Sequence, residues 1–286
     1  ALIRRSAVNR HMGHYQEARQ DAVDAINLTQ QPGGNKQQYA EALRSEGLVY
    51  FQIGELKSAL EKLEQSYVRF SEMHFDSDAA KVLVDIGCVY EALGDINQAE
   101  ACFSKSLAFW QKANSALWQA NLLNNIGVIQ FQRGKYVEAI ITLEKALSYS
   151  RISANPRLES YTLASMGDLF SHLNSIKEAR QAYQLAAEIL EQTNDLSLDI
   201  YVTLALAALD RITANYSSAE SLLSNTLAIT SENDSKYDYH KCLLEQCLLD
   251  FKRGKMENLA EKLIDMVGYF EEFNHRAEAV KTLFIH

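Results

Sequence analysis

The sequence predicts an all-α solenoid of about seven helix-turn-helix repeats, and three columns of residues carry that prediction. Gly47, Gly87, Gly127 and Gly167 recur every forty residues, and Ala207 and Cys247 continue the series. Seven residues later stand turn formers, namely Gly54, Gly94, Gly134, Asn174, Ala214 and Gly254. Twelve residues after the first column come Ala59, Ala99, Ala139, Ala179 and Ala219, interrupted only by Leu259. A fixed period of this length marks a stack of supersecondary units that share one continuous core, because no single unit can bury its apolar face alone. We therefore expect one domain over residues 1–286, with repeats at about 1–31, 37–72, 77–112, 117–152, 157–192, 197–231 and 235–272, and part of another at 275–286.

The first repeat is read from Gly13, Tyr15, Ala18 and Ala22, which precede Gly54, Leu56, Ala59 and Leu63 by forty-one residues. The extra residue belongs in the loop Gln31-Pro32-Gly33-Gly34-Asn35, a cluster of chain breakers. Six repeats follow, with first helices near 37–52, 77–92, 117–132, 157–172, 197–212 and 235–252. Their second helices lie near 55–72, 95–112, 135–152, 175–192, 215–231 and 255–272. The helical assignment rests on spacing. Leu123, Ile126, Gly127 and Gln130 follow the i, i+3, i+4, i+7 pattern of one helix face, and Tyr136, Ala139, Leu143 and Ala146 do the same in the next helix. Gly134 is placed to end the first helix, since glycine enters the left-handed conformation without a Cβ clash. Asparagine is an acceptable substitute at 174; alanine at 214 predicts an altered or strained turn.

The small columns have a steric cause: two helices joined by a short turn approach most closely where side chains are smallest. Larger residues complete the core, with Leu43, Leu83, Leu123, Leu163 and Leu243 on first helices and Leu56, Ile96, Tyr136, Ile176, Tyr216 and Met256 on second helices. Trp110 and Trp118 flank a turn between repeats and are expected to staple them. Because the chain begins and ends inside helical pattern, it reads as an excerpt of a longer array.

Composition narrows the function. A net charge of −9 disfavours direct contact with nucleic acid. No run of eighteen apolar residues predicts a membrane span, and no apolar leader is present, so the expected compartment is the cytoplasm. Cys88, Cys102, Cys242 and Cys247 lack CxxC spacing and read as packed free thiols. His11 and His14 find no third ligand, and HExxH, GxSxG and GxGxxG motifs are missing, so neither a metal, a cofactor nor catalysis is expected.

The order small residue, aromatic, turn glycine, aliphatic, alanine, large apolar, small reads Gly87, Tyr90, Gly94, Ile96, Ala99, Phe103, Ser106. It resembles the tetratricopeptide repeat, here with about six residues more than the usual 34. The long form is similar to repeats of kinesin light chains, of the maltose-regulon activator group and of peptide-sensing quorum regulators. Segments such as Leu122 to Leu147 look most like the arrays of bacterial signal-transduction ATPases that act as transcription regulators. The resemblance implies a right-handed superhelix, non-catalytic, whose first helices line a concave face that binds protein or peptide. It implies a sensor and interaction segment of a bacterial transcription regulator; the alternative is a free-standing adaptor that scaffolds a complex.

On that concave face the exposed positions should lie three residues before, and one and four residues after, the glycine column, with a further position six before it. From these we select Arg44, Phe51, Asn121, Asn124, Val128, Phe131, Tyr161, Asp168, Tyr201 and Arg211 as candidate ligand-binding residues. The centre is the strongest: Asn121 and Asn124 offer amides for a peptide main chain beside the aromatic Phe131. In related arrays, asparagines of the LNN segment hold bound peptide, and Asn124 matches that position. The lysine and asparagine carboxylate clamp of chaperone-binding arrays is not reproduced. The competing reading is that the apolar lining only reflects first helices packed on one another. The sequence leaves the ligand's identity and the oligomeric state open.

Overall fold

The computed structural model describes residues 1–193, 195–232 and 236–272. The partial repeat expected at 275–286 lies outside them. Among the described residues there are fourteen helices and no strands. First helices are α1 (Leu2–His11), α3 (Lys36–Gln52), α5 (Asp76–Ala92), α7 (Ala116–Gln132), α9 (Pro156–His172), α11 (Leu196–Ile212) and α13 (Lys236–Lys252). Second helices are α2 (Tyr15–Thr29), α4 (Leu56–Glu72), α6 (Ile96–Lys112), α8 (Tyr136–Ile152), α10 (Ile176–Leu190), α12 (Tyr216–Glu232) and α14 (Leu259–Glu272). The chain divides into two compact units, Ala1–Tyr149 and Ser150–His286.

The turn column does what its residue types dictate. Gly54, Gly94 and Gly134 take φ of 78°, 79° and 73°. In each case the following amide donates across the turn, Glu55 to Tyr50 O, Asp95 to Tyr90 O and Lys135 to Gln130 O, all at 2.9 Å. These are Schellman closures, which satisfy carbonyls that the helix end would otherwise orphan. Ala214 adopts the same closure, with φ of 61° and Asn215 N donating to Asp210 O at 2.8 Å. The turn is thus strained but not altered. Its anchor is a polar knot on Asp210, which takes Arg180 at 2.7 Å and the Ser218 hydroxyl at 2.6 Å.

Where first and second helices cross, the glycine column receives a large side chain from sixteen residues downstream. A Cβ on Gly87 would stand 2.4 Å from Phe103 Cε1, and one on Gly127 2.8 Å from Leu143 Cδ2. Leu63, Phe103, Leu143, Leu223 and Leu263 in that column are buried. Burying each contributes roughly 1.5–3 kcal/mol. The columns five before and two after the glycine, for example Val82 and Val89 or Leu122 and Ile129, are also fully buried. Two expectations are corrected here. Leu122, not Leu123, is the fully buried leucine of α7, one position round the helix. Met256 is 59% exposed, because α14 starts at Leu259 and not near 255; Asn258 at φ 57° precedes it, a backbone conformation no α-helix accommodates.

Buried hydroxyls tie helices within a repeat. Ser66 donates to Ala40 O at 2.7 Å and Ser106 to Ala80 O at 2.8 Å. In the second unit the hydroxyl changes sides: Ser160 on α9 donates to Ala186 O on α10 at 3.3 Å. Between repeats of the first unit, Trp110 and Trp118 stack with centroids 5.1 Å apart and planes 14° from parallel, as their sequence positions predict.

Candidate functional site

The candidate residues all lie on first helices, and each unit holds its own set. In the first unit, Arg44 on α3 donates from Nε to Asp85 Oδ2 on α5 at 2.6 Å, with Glu41 at 3.7 Å. Burial pushes the Asp85 carboxyl above its ordinary value despite that guanidinium. Phe51 packs against the cluster formed by Tyr50, Leu63 and Val89, so part of its surface is already committed to the fold. Glu91 on α5 accepts from Gln132 Nε2 on α7 at 3.0 Å.

On α7, Asn121, Asn124, Val128 and Phe131 form one stripe, because residues three and four apart share a helix face. The expectation of exposure fails at one column. Three residues before the glycine, Val84, Asn124, Ala164, Leu204 and Leu244 are buried, since first helices of successive repeats touch, as α3 with α5 and α11 with α13 do. Asn124 is therefore 8% exposed, and its Oδ1 has no hydrogen-bond partner. The buried Oδ1 of Asn121 is likewise unpartnered. A buried amide oxygen without a donor is costly, about 1–3 kcal/mol, and such groups ask for an explanation. The stripe continues through half-buried Val128 to Phe131, whose ring lies 6.2 Å from that of Tyr136.

In the second unit the structure brings Asp168 and Tyr201 together. Tyr201 on α11 donates to Asp168 Oδ2 at 2.6 Å, and Tyr183 on α10 donates to Asp168 Oδ1 at 2.6 Å. Burial raises the Asp168 carboxyl, and the two hydroxyls only partly oppose it. Tyr161 and Tyr201 are 40% and 36% exposed, and each carries a cation over its ring: Arg157 at 5.6 Å and Lys241 at 5.5 Å. Arg211 is spent on a bidentate pair with Glu245 of the next repeat, at 2.5 and 3.4 Å. Asp85, Glu245 and Tyr183 escaped the sequence reading. The first two share a column, two before the glycine, and that register was available; Tyr183 was hidden as the large residue expected to fill the core.

This arrangement offers unpartnered acceptors, aromatic faces and fixed charges, the equipment for holding a ligand. Burial pushes the Cys88 thiol up to about 12 and Cys242 to about 11, so neither is a thiolate nucleophile at neutral pH. Among the described residues no helix is long and apolar enough to cross a membrane.

A tetratricopeptide-repeat family profile matches residues 1–70, 78–152 and 118–192. Regulatory protein RapG of Bacillus subtilis is 24% identical over 147 residues, 51% of this chain and 39% of that protein. The Rap conjugation gene regulator of plasmid pLS20, solved in complex with the Phr* peptide, superposes with a TM-score of 0.73 at 17% identity, covering 96% of this chain and 74% of that one. A Signal Transduction ATPase with Numerous Domains from Pyrococcus horikoshii, PH0952, which has a tetratricopeptide repeat sensor, gives 0.67 at 15% identity, covering 98% and 44%. The chain spans at most 39% of the length of the curated relatives it matches.

Proposed function

The chain belongs to the tetratricopeptide-repeat family, and from that premise we propose that it is a non-catalytic receptor for an extended peptide or protein segment, bound along the stripe of first helices on a concave face. The observation that carries this reading is the pair of unpartnered amide oxygens of Asn121 and Asn124, on one helix face with Phe131. Two acceptors three residues apart suit the N–H groups of an extended main chain, and an aromatic neighbour supplies an anchor. Main-chain pairing gives affinity with little dependence on sequence.

The biological role we infer is that of a sensor and interaction segment in a transcription regulator. The support is the likeness to a Rap regulator solved with a peptide and to a signal-transduction ATPase whose repeats are its sensor. In this reading residues 1–286 act as one repeat array, and DNA contact falls to other parts of the regulator, since this segment is acidic.

The test is retention of a synthetic library of short peptides by immobilised wild-type protein and by the Asn124→Ala, Phe131→Ala double variant. Wild type is expected to retain a subset, and the double variant to retain at least about tenfold less of it with a nearly unchanged melting temperature. A large fall in stability with no selective loss of binding would return both residues to the core.

A further inference from the structure

In the second unit, the described arginines are paired with carboxylates. Arg157 holds Asp195, Arg180 holds Asp210, Arg211 holds Glu245 and Arg253 holds Glu220. Lys241 is the exception on the first-helix stripe. It stands six residues before the glycine column, the position of Tyr161 and Tyr201. It is half-buried, and its ammonium lies 5.5 Å from the Tyr201 ring centroid and 5.2 Å from that of Tyr237. Two aromatic faces attract an ammonium and restrict it, but they do not saturate its three N–H donors. Among the described residues no acceptor bonds to it and no carboxylate lies within ion-pair distance.

The reason for its freedom is visible next door. Asp168 is close enough to feel the charge of Lys241, yet its two oxygens are taken by Tyr183 and Tyr201, each at 2.6 Å. Glu245, on the same helix, is taken by Arg211. The fold has thus engaged these two carboxylates and left the Lys241 ammonium beside two aromatic rings.

We propose that Lys241, held between Tyr201 and Tyr237, is the receptor for a carboxylate of a peptide bound on the first helices of the second unit. The proposal rests on the peptide-binding reading above and adds its charge specificity. A carboxylate is supplied by an acidic side chain or by the peptide's C-terminus, and both present the same group to an ammonium. Holding the lysine in place beforehand reduces the ordering cost of forming the pair.

The experiment uses the whole chain and four matched sets of short synthetic peptides, with Glu or Gln at each position in turn and with the C-terminus free or amidated. Wild type is expected to prefer carboxylate-bearing peptides by about tenfold, Lys241→Arg to keep the preference and Lys241→Met to lose it at unchanged melting temperature. Preference for Glu over Gln assigns the side chain as source; preference for free acid over amide assigns the terminus. Binding by wild type without either preference, or a preference that survives in Lys241→Met, overturns the proposal while leaving peptide binding intact. No retention of any peptide by wild type overturns the peptide reading and this proposal with it.

Discussion

Tyr183 reaches Asp168 past a glycine. Its ring lies where a Cβ on Gly167 would stand, 2.4 Å from Cε1, and its hydroxyl donates to Asp168 Oδ1 at 2.6 Å. The small column therefore serves two purposes at this repeat. It lets α9 and α10 cross closely, and it passes a core side chain through to the stripe where ligand is proposed to bind. Tyr201 closes the other carboxylate oxygen, so one acid ties α9 to both α10 and α11.

That grip has a pH signature. The Asp168 carboxyl is raised by burial, so the folded state holds its proton more tightly than the unfolded state. Its contribution to stability is therefore fully present below the ordinary carboxylate value and is lost as pH rises through the raised folded value. Asp168→Asn removes this group alone. We expect the stability of the variant relative to wild type to increase over the pH window that opens at the ordinary carboxylate value of about 4, measured by urea unfolding. A constant difference across that window would show that Asp168 titrates alike in both states.

The glycine column predicts an order of damage. A methyl group at Gly87 meets the fully buried Phe103 ring at 2.4 Å, whereas one at Gly127 meets the end of Leu143 at 2.8 Å. A leucine can change rotamer and a wedged ring cannot. Both alanine variants should lose about 1–3 kcal/mol by overpacking, with Gly87→Ala the worse, as read from urea midpoints.

Ala214 is an alanine at φ 61°, in a turn where other repeats place glycine or asparagine. Left-handed alanine costs roughly 1–2 kcal/mol, and part of that is offset by the extra freedom glycine brings to the unfolded chain. Ala214→Gly should therefore stabilise by about 0.5–1 kcal/mol, and a melting curve shifted downward would refute the strain.

Asn124 sets stability against binding. Its column holds Val84, Ala164, Leu204 and Leu244 elsewhere, so an apolar side chain fits that environment. Asn124→Leu removes an unpartnered buried oxygen and should stabilise the unliganded protein by about 1 kcal/mol, while lowering peptide retention at least about tenfold. Improved stability with unchanged retention would show that the orphan amide has no ligand to serve.

The fold was legible because it repeats: glycine, turn former and alanine recur at fixed distances, and each has one steric reason to be where it is. Leu122 and Leu123 show the limit, since adjacent residues sit 100° apart on a helix and the pattern alone admits either as the buried one. Asn124 shows a second limit. Its burial depends on packing between helices, which no residue of α7 encodes. Tyr183 and Asp168 show a third, because their contact runs between helices through a gap created by Gly167, and each residue had a sufficient explanation without the other. Lys241 shows a fourth, because its position six before the glycine column is legible while its lack of an acceptor emerges only from how its neighbours are engaged.

The most direct test of the account is where a bound peptide touches the protein. A retained peptide carrying a photoreactive group should, after irradiation and proteolysis, be found attached to first-helix residues such as Asn121, Val128 and Phe131 on α7. Attachment confined to exposed second-helix residues, such as Val137 and Ile141 on α8, would contradict the claim that the first-helix stripe is the binding face.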